Sequence, residues 1–209
     1  MKNDEPGRFF VLSAPSGTGK STVTNLLLAR RPEVVYSVSF TTRAPRPGEK
    51  DGQAYHFVAE DRFREMIEAG DFLEWAEVFG RFYGTGRQWV SERLRDGRNI
   101  LADLDVRGGT SVRALMPEAV LIFMVPPTAG ELRRRLTGRS TESASELGRR
   151  LAEARVEIGF SHIYDFLLIN DQLEEAVAGL EEIIFHGRGR SMAEAGPFWQ
   201  GFFRDWEPG

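Results

Sequence analysis

The chain has 209 residues, with 27 Lys and Arg against 31 Asp and Glu, so its formal net charge is −4. This balance argues against nucleic-acid binding over the whole surface, and we expect no nucleic-acid partner. The absence of cysteine excludes disulfides and thiolate metal sites. No apolar run approaches the ~20 residues of a bilayer span, and residues 1–10 contain no signal-peptide segment. We therefore expect a cytoplasmic protein without a membrane partner.

Apolar runs that favour strands alternate along the chain with stretches of helical periodicity. The expected strands are Phe9–Ser13, Val34–Phe40, Ile100–Leu104, Val120–Val125 and Phe166–Ile169. The expected helices are Lys20–Arg30, Asp61–Glu68, Trp89–Arg95, Thr110–Leu115, Ala129–Leu136, Ser145–Ile158 and Leu173–Phe185. Near-continuous apolar strands separated by helices predict an α/β fold with a parallel sheet covered on both faces.

A phosphate-binding pattern follows the first expected strand. It reads Ser13-Ala14-Pro15-Ser16-Gly17-Thr18-Gly19-Lys20-Ser21-Thr22 and is called the phosphate loop below. Small residues let consecutive backbone N–H groups surround phosphate oxygens, and the helix that begins here adds the positive end of its dipole. In such loops the lysine contacts the outer phosphates and the following hydroxyl binds Mg²⁺, which assigns these roles to Lys20 and Ser21. The alternative is a flexible glycine turn that carries a lysine by chance.

Two segments do not fit the alternation of strands and helices. Thr41–Gly52 is a polar loop rich in Arg, Pro and Gly, and two short strand-like pieces follow it, Ala54–Val58 and Phe72–Phe79. They predict a small mixed α+β insertion. Thr137–Ser145 is a polar loop between two arginine-bearing helices. Helix–loop–helix excursions of this kind near a phosphate loop often close over the nucleotide and exclude water.

The insertion also carries the most specific motif. Thr41-Thr42-Arg43-Ala44-Pro45-Arg46-Pro47-Gly48-Glu49, followed by Gly52, Tyr55 and Phe57, resembles the guanylate kinase signature position for position. The likeness continues, in order, through Phe72-Leu73-Glu74-Trp75-Ala76-Glu77, Tyr83-Gly84-Thr85, Asp103-Leu104-Asp105, Leu136-Thr137-Gly138-Arg139, Arg149-Arg150-Leu151, Tyr164-Asp165 and Asn170-Asp171. It spans roughly residues 8 to 186, and several motifs agreeing in order are not expected by chance.

The resemblance implies a P-loop three-layer α/β fold with a parallel central sheet, an inserted mixed α+β lobe that binds the nucleoside monophosphate, and a helical lid. Residues 1–209 would form a single guanylate-kinase-like domain: a core of 8–36, 88–127 and 160–186, a GMP-binding lobe of 37–87, a lid of 128–159 and a tail of 187–209. The implied reaction transfers the γ-phosphoryl group of ATP to GMP, giving ADP and GDP, with ATP as co-substrate and Mg²⁺ as cofactor.

The resemblance also assigns the residues that bind GMP. Those expected at its phosphate are Arg43, Arg46, Tyr55 and Tyr83, and those expected at its base are Ser39, Glu74, Thr85 and Asp105. Arginine and tyrosine donate to phosphate oxygens, whereas a carboxylate accepts from the N1–H and amino group of guanine. The plainer alternatives are a solvated arginine loop, tyrosines in a small core, and a solvated strand edge at Glu74.

On the ATP side, the resemblance assigns the loop residues together with arginines and an asparagine further along the chain. The residues expected to bind ATP are Ala14, Pro15, Ser16, Gly17, Thr18, Gly19, Lys20, Ser21, Thr22, Arg135 and Asn170. Those expected to act in phosphoryl transfer are Lys20, Arg43, Asp103, Arg139 and Arg150, with Ser21 and Asp103 as the Mg²⁺ ligands. Asn170 precedes a helix, so a capping role is the alternative for it.

Three positions depart from the family pattern. Ala14 replaces the first glycine of the phosphate loop, Arg107 stands where the family commonly has glutamine, and Ser140 stands where another glycine is frequent. Arg107 would place an extra cation near the acceptor site.

Two alternative functions remain: a kinase for another nucleoside monophosphate, and a guanylate-kinase-like scaffold that binds phosphopeptides without catalysis. Such scaffolds usually lose the loop lysine and the lid arginines, and this chain keeps both. We expect dGMP to be accepted beside GMP. The aromatic tail at 197–206 either packs back onto the domain or forms the contact of a homo-oligomer.

Overall fold

The computed structural model describes residues 6–78, 80–137, 144–204 and 206. Its strands are β1 (Phe9–Ser13), β2 (Val35–Ser37), β3 (Phe40–Thr41), β4 (His56–Phe57), β5 (Phe72–Val78), β6 (Arg81–Gly86), β7 (Ile100–Asp103), β8 (Val120–Val125), β9 (Phe166–Ile169) and β10 (Arg190–Ser191). Its α-helices are α1 (Lys20–Arg30), α2 (Glu60–Glu68), α3 (Arg87–Arg95), α4 (Val106–Leu115), α5 (Ala129–Thr137), α6 (Ala144–Gly159), α7 (Leu173–His186) and α8 (Gly196–Arg204). The predicted α/β class is confirmed.

The described chain divides into two compact units. The first comprises residues up to 11 and 33–119, and the second comprises 12–32 and 120 onwards, so β1 contributes residues to both. In the first unit, β7 lies between β1 and β2 and pairs with β2 in parallel, with Tyr36 opposite Leu101. Ile100, Leu101 and Ala102 are fully buried, as expected for a strand covered on both faces.

A second sheet in the first unit has the order β4-β3-β6-β5. Strand β3 runs parallel to β4 and antiparallel to β6, and β6 runs antiparallel to β5. Helix α2 contributes Phe63 and Met66, which pack with Phe72 and Phe82 into a small buried core. This core holds β5 and β6, the strands that carry several of the residues expected to bind GMP.

The predicted strand Val34–Phe40 is wrong as a single element. Strand β2 pairs with β7, whereas β3 pairs with β4 and β6 of the other sheet. The two residues between β2 and β3 belong to neither strand. An apolar run cannot predict this break, because both pieces have strand-like composition and only their partners differ.

In the second unit, β8 lies between β1 and β9 and pairs with β9 in parallel. All six residues of β8 are buried. The next strand, β10, pairs antiparallel with β9, with Arg190 opposite Leu167. The predicted parallel sheet therefore gains an antiparallel edge strand that the sequence did not indicate. The chain turns back after α7, whose C-cap Gly187 lies in the left-handed region (φ 63°).

The C-terminal tail packs onto the second unit. Phe202 of α8 is 1% exposed, and the ring centroids of Trp199 and the β8 residue Phe123 lie 6.5 Å apart. This agrees with the alternative in which the tail packs back onto the domain. The homo-oligomer contact stays a prediction. Within the described ranges, no helix combines the length and apolar character needed to cross a membrane.

Candidate functional site

Two of the residues expected to bind the base lie on the β5–β6 hairpin of the first unit. Glu74 of β5 and Thr85 of β6 are paired in the antiparallel register. The Thr85 hydroxyl donates to Glu74 Oε1 at 2.6 Å, and the two side chains are 0% and 4% exposed respectively. Burial raises the pKa of Glu74 to about 7, the Thr85 hydrogen bond lowers it, and the charge of Asp105 raises it. The solvated strand edge suggested for Glu74 is wrong.

Asp105 lies at the start of helix α4, next to Glu74. Its carboxylate accepts from the backbone N–H of Gly108 at 2.9 Å and caps the helix. A Cβ atom added to Gly108 would lie 3.3 Å from Glu74 Oε2, so the Glu74 carboxylate rests against the first turn of α4. The structure therefore brings together the two carboxylates expected at guanine.

Ser39 lies between β2 and β3 and is 8% exposed. Its carbonyl accepts from the His56 backbone N–H at 2.9 Å, which joins the segment to β4.

Arg43, which is expected at the GMP phosphate, is held by the carboxylate of Glu49, a residue to which sequence reasoning gave no role. Both Glu49 carboxylate oxygens accept from Arg43 Nη2 at 2.9 Å, and Glu49 also accepts from the Arg46 backbone N–H at 2.7 Å. The hydrogen bond and charge of Glu49 raise the pKa of Arg43, and a hydrogen bond with Tyr83 adds to this rise. The available sequence signal was that Glu49 follows Arg43 by six residues and Arg46 by three.

Aromatic rings surround this arginine. The Arg43 guanidinium lies 5.3 Å from the ring centroid of Tyr55, and the Tyr55 and Tyr83 rings are 5.9 Å apart. Arg46, by contrast, is exposed. The structure thus groups Arg43, Tyr55 and Tyr83, three of the four residues expected at the GMP phosphate, and leaves the Arg46 side chain in solvent.

Asp103 ends β7 in a half-buried position. Burial raises the pKa of Tyr55, and the negative charge of Asp103 raises it further. The same two causes raise the pKa of Tyr36, a residue of β2 that sequence reasoning missed. Asp103 is therefore close enough to Tyr36 and Tyr55 for its charge to raise the pKa of both.

In the second unit, the phosphate loop has the backbone shape that its glycines permit. Gly17 and Gly19 have φ values of 82° and 89°, a region that favours glycine. Gly19 is the N-cap of α1, and its carbonyl accepts from the N–H of Thr22 and Val23. Ala14, the departure from the family pattern, lies half-buried directly after β1. The phosphate loop therefore ends at a helix N-terminus, as the sequence predicts.

The Thr18 carbonyl ties the loop to two other elements. It accepts from Asn170 Nδ2 at 2.7 Å and from Arg135 Nη1 at 3.3 Å. Asn170 is not the cap of α7, because Gln172 holds that position. Glu131, which sequence reasoning missed, accepts from Arg135 Nε at 2.6 Å, and its hydrogen bonds with Arg134 and Arg135 lower its pKa to about 2. The signal for it was its position four residues before Arg135 on one helix.

Arg150 of α6 contacts the loop directly. Its Nη2 donates to the Ser16 hydroxyl at 2.8 Å. Lys20 is half-buried at the first position of α1, and Ser21 and Thr22 are exposed beside it. Arg139 and Ser140 lie outside the described residues.

The donor set expected for Mg²⁺ fits that ion chemically. An exposed hydroxyl at Ser21 and a half-buried carboxylate at Asp103 are the hard oxygen ligands that Mg²⁺ prefers, and Mg²⁺ keeps several waters. Among the residues described, no group of three or more His, Asp or Glu side chains is placed to hold a metal.

Comparison with known proteins identifies the family to which the chain is similar. The guanylate kinase family model matches residues 6–187. The chain is 47% identical over 178 residues to guanylate kinase of Dechloromonas aromatica, covering 85% of this chain and 88% of that protein. It is 48% identical over 183 residues to guanylate kinase of Shewanella denitrificans, covering 87% and 88%. The crystal structure of guanylate kinase from Anaplasma phagocytophilum superposes with a TM-score of 0.72 at 36% identity, covering 87% of this chain and 86% of that one.

The α/β fold, the glycine-shaped phosphate loop and the arginines that contact it define a P-loop nucleotide-binding protein. The matches in sequence and structure then identify the family within this class of proteins. This chain belongs to the guanylate kinase family.

Proposed function

We propose how this chain carries out the guanylate kinase reaction, in which the γ-phosphoryl group of ATP is transferred to GMP. The second unit binds ATP through the phosphate loop, Arg135 and Asn170, and the first unit binds GMP. Residues 37–87 form the GMP-binding lobe, 128–159 the lid, 8–36, 88–127 and 160–186 the core, and 187–209 the tail. Family membership favours this activity over the phosphopeptide scaffold.

The buried Glu74 carboxylate is the observation that carries the choice of GMP. Guanine offers N1–H and an amino group as donors, whereas adenine presents an acceptor at N1. Ionised Glu74 accepts from the guanine donors, Asp105 assists at the amino group, and the Ser39 and Thr85 hydroxyls serve the O6/N7 edge. A buried carboxylate faced by an acceptor would lose its hydrogen bond, so AMP is disfavoured.

The GMP phosphate is bound by Arg43, Tyr55 and Tyr83, with Arg46 joining from solvent. Support comes from the cluster that the first three already form and from the Glu49 contact, which holds the Arg43 fork in place. Charge-assisted bonds from a fixed guanidinium are stronger than neutral ones and orient the acceptor oxygen for attack.

Phosphoryl transfer then depends on positioning and charge rather than on a tuned base. The transition state is loose, with negative charge spread over the transferred group, so cations aimed at it supply most of the stabilisation. Lys20, Arg139 and Arg150 supply that charge. Ser21 and Asp103 would hold Mg²⁺, which would supply positive charge to the phosphates.

A coupled assay of ADP release tests this function. With ATP and a panel of GMP, dGMP, IMP, AMP, UMP and CMP, we expect turnover with GMP and dGMP and far lower kcat/KM with the others. Preferred turnover of AMP or a pyrimidine monophosphate would support the other-monophosphate alternative. Binding of phosphopeptides without ADP release would support the scaffold.

A further inference from the structure

Arg107 connects the two elements that carry the carboxylates of the base site. It lies in the first turn of α4, two residues after Asp105, and its side chain is exposed. Its Nη1 donates at 2.8 Å to the carbonyl of Glu77, which lies on β5 three residues after Glu74. The bond therefore links the helix that begins at Asp105 to the strand that contains Glu74.

A cleft opens to solvent at one side of the contact between β5 and α4. A cavity of about 330 Å³ is lined by Leu73, Glu74 and Trp75 of β5 and by Ser111 and Leu115 of α4. Leu115 is 58% exposed and Trp75 is 43% exposed, so neither is closely enclosed. The contact is therefore open to solvent on this side, and the Arg107 bond adds a polar restraint between the strand and the helix.

At the first turn of α4 the approach is close instead. Gly108 lets the Glu74 carboxylate lie against the helix, and Asp105 caps the same turn. Arg107 is the long side chain of this turn whose donor reaches across to β5. A charged donor to a carbonyl has a stronger and more directional bond than a neutral one.

We propose that Arg107 is a positioning residue for guanine selection: by holding β5 against the start of α4, it sets the spacing between the Glu74 and Asp105 carboxylates. It does not touch the substrate in this role. The inference rests on the proposed function, in which both carboxylates contact guanine. It predicts that the bond matters most for a base that engages both carboxylates at once.

The test compares Arg107→Met, which keeps length but has no donor, with Arg107→Lys, which keeps a charged donor. Arg113→Met is the matched control, because Arg113 lies on the same helix and donates to the Pro117 and Ala119 carbonyls, away from β5. KM and kcat are measured with GMP and with IMP, which lacks the amino group assigned to Asp105, and thermal melting checks that each variant is folded.

We expect Arg107→Met to raise KM for GMP about fivefold, the loss expected for one hydrogen bond, with kcat and KM for ATP unchanged. KM for IMP should change less, so the preference for GMP over IMP falls. Arg107→Lys should restore most of it, and Arg113→Met should behave like the wild type.

An unchanged GMP/IMP preference in Arg107→Met, or an equal loss in Arg113→Met, would overturn the proposal. Asp105→Ala, which removes the acceptor that asparagine would keep, separates this from failure of the proposed function, and IMP is the internal control for the lost helix cap. If that variant keeps the full preference for GMP over IMP, the base assignment itself is wrong, whatever Arg107 does.

Discussion

The Thr85 hydroxyl donates a 2.6 Å hydrogen bond to the Glu74 carboxylate, and both side chains are buried. One hydroxyl only partly offsets the cost of removing a carboxylate from water, and the pKa of Glu74 stays raised at about 7. Glu74 therefore gains or loses its proton near neutral pH, the range in which the protein is expected to bind GMP.

GMP affinity should weaken as pH falls below about 7. Guanine offers donors, so it binds the ionised carboxylate, and protonation of Glu74 removes the acceptor. Far below that pKa, the dissociation constant should rise about tenfold per pH unit. Calorimetric titration between pH 5.5 and pH 8.5 measures this. The GMP phosphate also titrates in this range, so Glu74→Gln supplies the baseline, and identical pH profiles of the two proteins would contradict the prediction.

Glu74→Gln should stabilise the protein without ligand at alkaline pH. The folded-state pKa is raised, so the carboxyl contributes stability fully below its ordinary value of 4.5 and loses that contribution as pH rises through about 7. At pH 8 the variant should be more stable by roughly 1–3 kcal/mol, and at pH 4 the difference should vanish. Denaturant unfolding at both pH values is the measurement, and a variant less stable than the wild type at pH 8 would show that the buried charge is well compensated.

The same substitution should reduce base selectivity. Glutamine presents a donor to the donors of guanine, a loss of roughly 2–4 kcal/mol in kcat/KM for GMP. AMP, with an acceptor at N1, should lose much less, so the GMP/AMP ratio falls while KM for ATP is unchanged. If the variant retains its full preference for GMP, the role of recognising guanine moves to Asp105.

Lys20→Ala should abolish transfer and leave GMP binding largely intact. Lys20 begins α1 in the second unit, whereas the residues assigned to GMP belong to the first. Loss of a cation on the transferred phosphoryl group should lower kcat by about a hundredfold or more. Equilibrium GMP binding serves as the control, and turnover near that of the wild type would contradict the assignment of the phosphate loop.

Arg150→Ala should lower kcat by about a hundredfold with little change in the dissociation constant of GMP. Its guanidinium contacts Ser16 in the phosphate loop, so its effect belongs to the ATP side. Arg149→Ala is the matched control, because Arg149 pairs with Glu153 on the helix surface. A large loss of GMP affinity in Arg150→Ala would instead place this arginine in acceptor binding.

Local sequence predicts the elements that depend on local chemistry. The phosphate loop, β8 and α7 could be placed because glycine spacing, an apolar run and a 3.6-residue period are visible along the chain. The break between β2 and β3 and the reversed direction of β10 could not, because each depends on which distant strand supplies the partner.

The same division holds at the candidate site. Glu74 was assigned to guanine only through the family resemblance, since its burial depends on the pairing of β5 with β6 and on the approach of α4. The contact of Asn170 with the Thr18 carbonyl joins residues 152 positions apart, and nothing near either residue indicates it.

The fixed Thr18 carbonyl affects how the phosphate loop presents itself to an anion. In a trans peptide the C=O and the next N–H point in opposite directions, so fixing the Thr18 oxygen toward Asn170 and Arg135 also turns the Gly19 N–H away from them. This one peptide dipole of the loop is oriented in advance by the side chains of Asn170, which follows β9, and of Arg135 on α5. Substitutions at these two distant positions should therefore change nucleotide affinity, with every residue of the loop itself left untouched.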